Sequence, residues 1–152
     1  MSNYTVESCK VESADRVVLH TRLFKPREDA GRADDGGRGL GVVLVHPYTV
    51  LGGCQALLRG IASELAGRGL PAVTFDMRGA GKSTGRPSLT GFAEVKDVIA
   101  VCKWACDNLS LRRILLVGSS ADGLVEHFVL QIYRMGLCVS LLCLLDRYVN
   151  RL

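Results

Sequence analysis

The sequence predicts an α/β fold in which helices cover both faces of a mostly parallel sheet, a three-layer sandwich. Three short, largely apolar runs occupy Val42–Val45, Ala72–Phe75 and Ile114–Val117, and such runs are typical of strands buried on both faces. The two segments between them carry apolar residues at helical spacing. Strands that alternate with helices in this way indicate parallel strands joined by helical crossovers.

The composition indicates a globular domain and excludes several classes of protein. The chain has 152 residues, of which 48% are hydrophobic and 22% charged, and a domain of this size buries roughly 70% of its unfolded surface. The net charge of +4 comes without a basic block interleaved with aromatic residues, so no nucleic-acid partner is predicted. Six cysteines form no C-x-x-C pair and the three histidines are far apart, so neither a metal nor a cofactor is predicted.

The N-terminus shows no basic and then apolar leader, which predicts a cytoplasmic protein with reduced thiols. Cys102 and Cys106 fall on the apolar side of a predicted helix and are interpreted as buried thiols.

Alternating residues on both sides of a turn at 13–15 predict an N-terminal antiparallel hairpin of edge strands. His20 falls on its polar face and is expected to be solvated. The glycine-rich stretch from Pro26 to Gly41 is interpreted as a surface loop.

Both crossover helices are predicted from their stripes. The first has its stripe at Cys54, Leu57, Leu58, Ile61, Ala62 and Leu65 and is closed by Gly67 and Gly69. The second has its stripe at Phe92, Val95, Val98, Ile99, Cys102 and Cys106.

The third strand leads into Gly118-Ser119-Ser120-Ala121, the setting of a nucleophile elbow, G-x-S-x-G. With Ser120 as the central serine, Gly118 fits the pattern and Asp122 replaces the second glycine. With Ser119, neither flank fits. An ordinary turn is the alternative interpretation.

A second motif, Gly81-Lys82-Ser83, looks like the end of a phosphate-binding P-loop. Asp76 stands where the first glycine belongs, and Pro87 interrupts the helix that should follow. Nucleotide binding is therefore disfavoured.

Three turns in succession resemble those of the α/β-hydrolase superfamily, particularly its serine-aminopeptidase-like and Xaa-Pro dipeptidyl-peptidase-like branch. They are His46-Pro47-Tyr48, the run 75–83 with its D-x-R-G-x-G-x-S pattern, and Gly118-Ser119-Ser120-Ala121. The resemblance covers about residues 42–121.

The resemblance implies a role for each turn. Ser120 would be the nucleophile of an acyl-enzyme, and the backbone N–H groups of Ala121 and Tyr48 would form the oxyanion hole. His46 would shape its loop rather than act as a base. Asp76, Arg78 and Gly79 would be turn scaffolding, with Arg78 tying loops together.

The family pattern stops after the elbow. The family places an acid and then a histidine after the serine, whereas only His127 and the acids Asp122, Glu126 and Asp146 follow Ser120 here. The chain is thus interpreted as the N-terminal part of a hydrolase domain, 1–121, followed by an apolar tail, 122–152. Two functions stay open: a serine hydrolase for a small ester or peptide that is catalytically incomplete as written, and a non-catalytic hydrolase-like fragment or isoform that acts by binding.

The tail has two interpretations of its own. The stretch 128–145 is close to the shortest length that spans a bilayer, but Arg134 lies near its middle. The favoured interpretation is a helix over 121–135 followed by a short strand or second helix over 137–145. A sheet that ends there would leave an open edge for self-association or for a partner chain.

Overall fold

The computed structural model describes residues 2–27, 39–47, 53–118 and 139–143. Its strands are β1 (Tyr4–Glu12), β2 (Val18–Pro26), β3 (Leu40–Val45), β4 (Ala72–Phe75), β5 (Arg113–Gly118) and β6 (Val139–Cys143). A 3₁₀ turn over Gln55–Leu58 leads into helix α1 (Arg59–Gly67), and helix α2 spans Phe92–Leu109.

The six strands form one mixed sheet in the order β1-β2-β4-β3-β5-β6. Strands β4, β3, β5 and β6 run parallel to one another, whereas β2 is antiparallel to both β1 and β4. The α/β class and the three predicted parallel strands are therefore confirmed. The prediction of two edge strands in the N-terminal hairpin was wrong for β2. This strand also pairs with β4, with Leu23 opposite Val73, and so lies inside the sheet.

The two helices pack on opposite faces of the sheet, which gives the three predicted layers. Because side chains alternate between faces along a strand, neighbouring residues belong to different cores. The core on the α2 side includes Val43, Val73, Phe75, Leu116, Val98 and Val101. The core on the α1 side includes Phe24, Val42, Leu44, Ala62, Ala66 and Val117.

The first crossover helix differs from its predicted stripe. It begins as a 3₁₀ turn, which has three residues per turn, so the buried positions there are Gln55 and Leu58. Leu57 and Ile61, both expected in the core, are 69% and 42% exposed. Gly69, with a φ of 86°, supplies the predicted left-handed backbone after the helix.

The second helix matches its prediction more closely. Cys102 is fully buried, and burial raises the pKa of its thiol to about 12, so it stays a protonated, unreactive core residue. Cys106 is only partly buried, and both cysteines are free thiols. At its N-terminus Phe92 is 56% exposed rather than buried.

In the tail, residues 139–143 form strand β6, which pairs with β5 in parallel. This is the strand alternative of the sequence analysis, and no strand among the described residues pairs with the other side of β6. The helix expected over 121–135 lies outside the described residues. Within the described part of the chain, no helix is both long and apolar enough to cross a bilayer.

Candidate functional site

The three family-like turns follow the carboxyl ends of adjacent parallel strands. Val45, the last residue of β3, pairs with Phe75 on one side and with Gly118 on the other. The turns after β4, β3 and β5 therefore start side by side at one edge of the sheet, which is where open α/β sheets bind their ligands. Three predicted site residues, Tyr48, Ser120 and Ala121, lie outside the described residues.

His46 connects the turn after β3 to the turn after β4. Its buried ring accepts a hydrogen bond at Nε2 from the Met77 N–H, at 3.1 Å, and Nδ1 lies 3.1 Å from the Pro47 carbonyl oxygen. These two contacts require the tautomer in which Nδ1 carries the proton and donates it to Pro47. Burial lowers the pKa of His46 below its ordinary value of 6.5. Both ring nitrogens are engaged, so this histidine holds loops together.

Asp76 is the polar centre of the turn after β4. Its Oδ1 accepts the Gln55 N–H at 2.9 Å, and Oδ2 accepts the Gln55 side-chain amide at 3.1 Å and the Lys82 N–H at 3.2 Å. Burial on its own raises the pKa of a carboxyl group, but these N–H donors and the nearby His20 lower the pKa of Asp76 below its ordinary value.

Sequence reasoning missed Gln55 and misjudged His20. The Gln55 amide group donates to His20 and accepts a hydrogen bond from the Thr74 hydroxyl at 2.8 Å. His20 is largely buried, with Nδ1 2.8 Å from the Gln55 amide nitrogen and 3.4 Å from Asp76, so the expectation of a solvated residue was wrong. Thr74 was the available signal, because a hydroxyl inside a buried strand needs a polar partner.

Arg78 joins three segments of the chain. Its guanidinium contacts Asp97 of α2 at 2.7 Å and Asp15 of the β1–β2 turn at 2.8 Å, and its backbone N–H donates to Asp97 at 2.9 Å. Although burial favours the neutral form, these hydrogen bonds raise the pKa of Arg78 above its already high ordinary value. The hydrogen bonds from Arg78 also lower the pKa of Asp15.

The P-loop-like turn is occupied by a group of the protein itself. A phosphate-binding loop aims backbone N–H groups at its anion, but here the Lys82 N–H donates to the Asp76 carboxylate, and the Ser83 hydroxyl donates to the Asp76 carbonyl at 2.6 Å. Gly81 has a φ of 51°, and a side chain there would collide with the same carboxylate. Gly79 has a φ of 72° and lies against Pro87.

Comparison with known proteins identifies the family. The family model of the X-Pro dipeptidyl-peptidases (S15 family) matches residues 15–144. The chain belongs to the S15 family. A polyketide transferase, claH from Penicillium crustosum, is 33% identical over 87 residues, which are 57% of this chain and 25% of that protein. This chain therefore matches about a quarter of the length of its curated relative.

Solved structures of α/β serine hydrolases have the same fold. An α/β serine hydrolase homologue from Coxiella burnetii is 29% identical with a TM-score of 0.62, over 79% of this chain and 53% of its own. The esterase Pf2001 from Pyrococcus furiosus is 25% identical with a TM-score of 0.59, over 76% of this chain and 42% of its own. The S15 chain thus corresponds to about half of these folds.

In this S15 chain, the two described histidines near this edge of the sheet already have hydrogen-bond partners within the protein. His46 and His20 are both held by other polar groups of the fold. Among the described residues there is no cluster of three side chains able to hold a metal ion. The turn after β4 is tied to the connection between β3 and α1 by hydrogen bonds of His46 and Asp76.

Proposed function

We propose that this S15-family chain carries out the acylation step of a serine hydrolase. Ser120 attacks the carbonyl carbon of a small ester or peptide, and the N–H groups of Tyr48 and Ala121 stabilise the oxyanion. One observation carries the proposal: Val45 and Gly118 are paired across β3 and β5. The segment with the proposed donor Tyr48 and the segment with the proposed nucleophile Ser120 therefore leave the sheet at neighbouring positions.

The step requires a destination for one proton. As the bond between Oγ and the carbonyl carbon forms, the serine proton must leave, and the alcohol or amine then departs with a proton as the carbonyl re-forms. His46 has both nitrogens engaged, and His20 lies beyond β4, on the far side of β3 from β5. Neither of the described histidines is therefore placed to act as a base, and we expect acylation to be slow.

The expected rate of acylation follows from the absence of a catalytic base among the described residues. A serine hydrolase without its catalytic groups keeps roughly 10³–10⁴-fold over water from the oxyanion hole and binding. Slow single acylation of Ser120 is expected, far below the turnover of a complete serine hydrolase.

The proposal is tested with a fluorophosphonate probe and p-nitrophenyl acetate. Ser120 displaces fluoride from phosphorus, its proton passes to solvent, and the intact mass increases by one phosphonyl group. Over hours we expect one adduct, located at Ser120 by peptide mapping and absent from Ser120→Ala. Ser119→Ala is the matched control and should keep the adduct.

Two results would overturn the proposal in different ways. No adduct at Ser120 under saturating probe would favour the alternative, a non-catalytic hydrolase-like protein that acts by binding. Rapid labelling and sustained turnover of p-nitrophenyl acetate would show that a base reaches Ser120, either His127 or a histidine of a second chain.

A further inference from the structure

The segment that joins β4 to α2 exposes two large apolar side chains. Leu89 is fully exposed, at 102%, and Phe92, the first residue of α2, is 56% exposed. We call these two residues the apolar tip. Burial of apolar surface is the main driving force of folding. An apolar side chain at Leu89 therefore stabilises the fold no more than a polar one.

Hydrogen bonds hold the backbone on both sides of Leu89. The N–H and the hydroxyl of Ser88 donate to the two carboxylate oxygens of Glu94, at 2.7 and 2.5 Å. The Gly91 N–H donates to the Ser88 hydroxyl at 2.9 Å. Because Leu89 lies between Ser88 and Gly91, its exposed side chain belongs to a turn with defined internal hydrogen bonds.

The same segment also packs against its neighbours. A Cβ atom added at Gly79 would collide with Cδ of Pro87. One added at Gly85 would lie 3.2 Å from both Cγ atoms of Val17. The residues before the apolar tip are therefore in contact with the turn after β4 and with the end of the β1–β2 turn.

The charged side chains of this segment are separated by sign. Its two acidic residues, Glu94 and Asp97, are buried at 1% and 0% exposure. Its exposed charged residues are all basic, namely Lys82, Arg86 and Lys96.

Two of these basic residues flank the apolar tip. Arg86 lies three residues before Leu89, and Lys96 follows Phe92 by one helical turn. Asp15 contacts Lys96 at 3.6 Å, but its carboxylate is shared with Arg78. The tip therefore lies within a positively charged surface.

We infer that the apolar tip and its basic flanks bind an anionic lipid surface. Leu89 and Phe92 enter the boundary between headgroups and acyl chains, and Arg86 and Lys96 contact the anionic headgroups. Apolar side chains beside Lys and Arg form the pattern that binds in the plane of a membrane interface. An acidic protein would match the charge, but it would need a pocket shaped for a fully exposed leucine, whereas a lipid surface deforms around it.

The expected effects follow from these two contributions. A basic residue near an anionic membrane strengthens binding about 5-fold, so Arg86→Gln should weaken binding about 5-fold. Insertion of an apolar side chain contributes more, so Leu89→Ser and Phe92→Ser should each weaken binding about 10-fold.

The experiment measures co-sedimentation of the full chain with vesicles over a range of lipid concentrations. One set of vesicles contains equal parts of phosphatidylserine and phosphatidylcholine, and the other contains phosphatidylcholine alone. We expect binding to the first set and much weaker binding to the second. Binding to the first set should decrease with added salt, because the basic side chains are screened.

Leu57→Ser and Arg59→Gln are the matched controls. Leu57 is 69% exposed and Arg59 is also exposed, and they lie at the start of α1, on the face of the sheet opposite α2. Neither substitution should change vesicle binding. Far-UV circular dichroism identifies any variant that does not fold, and since Leu89 and Phe92 are tested separately, one folded variant is enough.

Three results would overturn this inference. The first is a folded chain that does not bind the phosphatidylserine vesicles, and binding to polyglutamate instead would indicate an acidic protein partner. The second is vesicle binding that is sensitive to salt but unchanged in Leu89→Ser and Phe92→Ser, which is adsorption by charge alone. The third is an equal loss of binding in Leu57→Ser. None of these results bears on the proposed acylation of Ser120, which is measured separately by the fluorophosphonate.

Discussion

Arg78 permits a direct comparison of two ion pairs that share one guanidinium. It lies 2.7 Å from Asp97 and 2.8 Å from Asp15, but the Asp97 side chain is 0% exposed and that of Asp15 is 32% exposed. Breaking a buried pair costs about 3–5 kcal/mol, whereas a solvent-exposed pair contributes about 0–1 kcal/mol. Since Arg78 keeps Asp15 when Asp97 is changed, we expect Asp97→Asn to cost about 3 kcal/mol, at the lower end of that range. Asp15→Asn should cost about 1 kcal/mol.

Urea unfolding at pH 7 measures both free energies. The chain contains one tryptophan, Trp104 of α2, which packs against the core on that side of the sheet and reports unfolding by its fluorescence. Equal costs for the two variants, or a larger cost for Asp15→Asn, would show that burial does not determine the contribution of this network.

Three further predictions concern the same turns. The free energy of unfolding should fall as the pH drops below about 6.5, because burial lowers the pKa of His46 in the folded chain and the unfolded chain binds a proton there first. His46→Gln should remove this pH dependence, as measured by urea titrations at several pH values. Gly81→Ala should destabilise the fold by about 1–3 kcal/mol, because it combines a positive φ with a collision at Asp76, as thermal unfolding will show. ATP should not bind at micromolar concentration in a calorimetric titration, since the Lys82 N–H already binds Asp76.

Each of these has a result that contradicts it. A pH profile that is the same in His46→Gln and the unmodified chain would exclude His46 as the source. For Gly81, the comparison is Gly60→Ala, where an added Cβ meets nothing within 4 Å; equal effects of the two substitutions would be incompatible with the collision. ATP binding that is abolished by Lys82→Ala would show that the turn is a phosphate site after all.

The order of apolar and polar residues along the sequence predicted the three parallel strands and the apolar stripe of α2, because this pattern depends on local sequence alone. The prediction that β2 is an edge strand was wrong because strand pairing does not depend on local sequence alone. Pairing of Leu23 with Val73 depends on a segment far along the chain, which no local pattern encodes. Within the site, Asp76, Arg78 and Gly79 could be found from the resemblance. Gln55 could not, because its role comes from a 3₁₀ turn that moves it from the expected helix face into the core.

The hydrogen bonds between β2 and the turn over 79–85 also bear on how this protein can change during evolution. The Val18 N–H donates to the Thr84 hydroxyl and the His20 N–H to the Ser83 hydroxyl, across separations of 66 and 63 residues. Thr84 returns a backbone N–H to the Val18 carbonyl. Every non-proline residue carries the same backbone donor and acceptor, so the hairpin side of this contact tolerates exchange of its side chains. The turn must keep the hydroxyl groups of Ser83 and Thr84, so the evolutionary constraint of the contact falls on the turn.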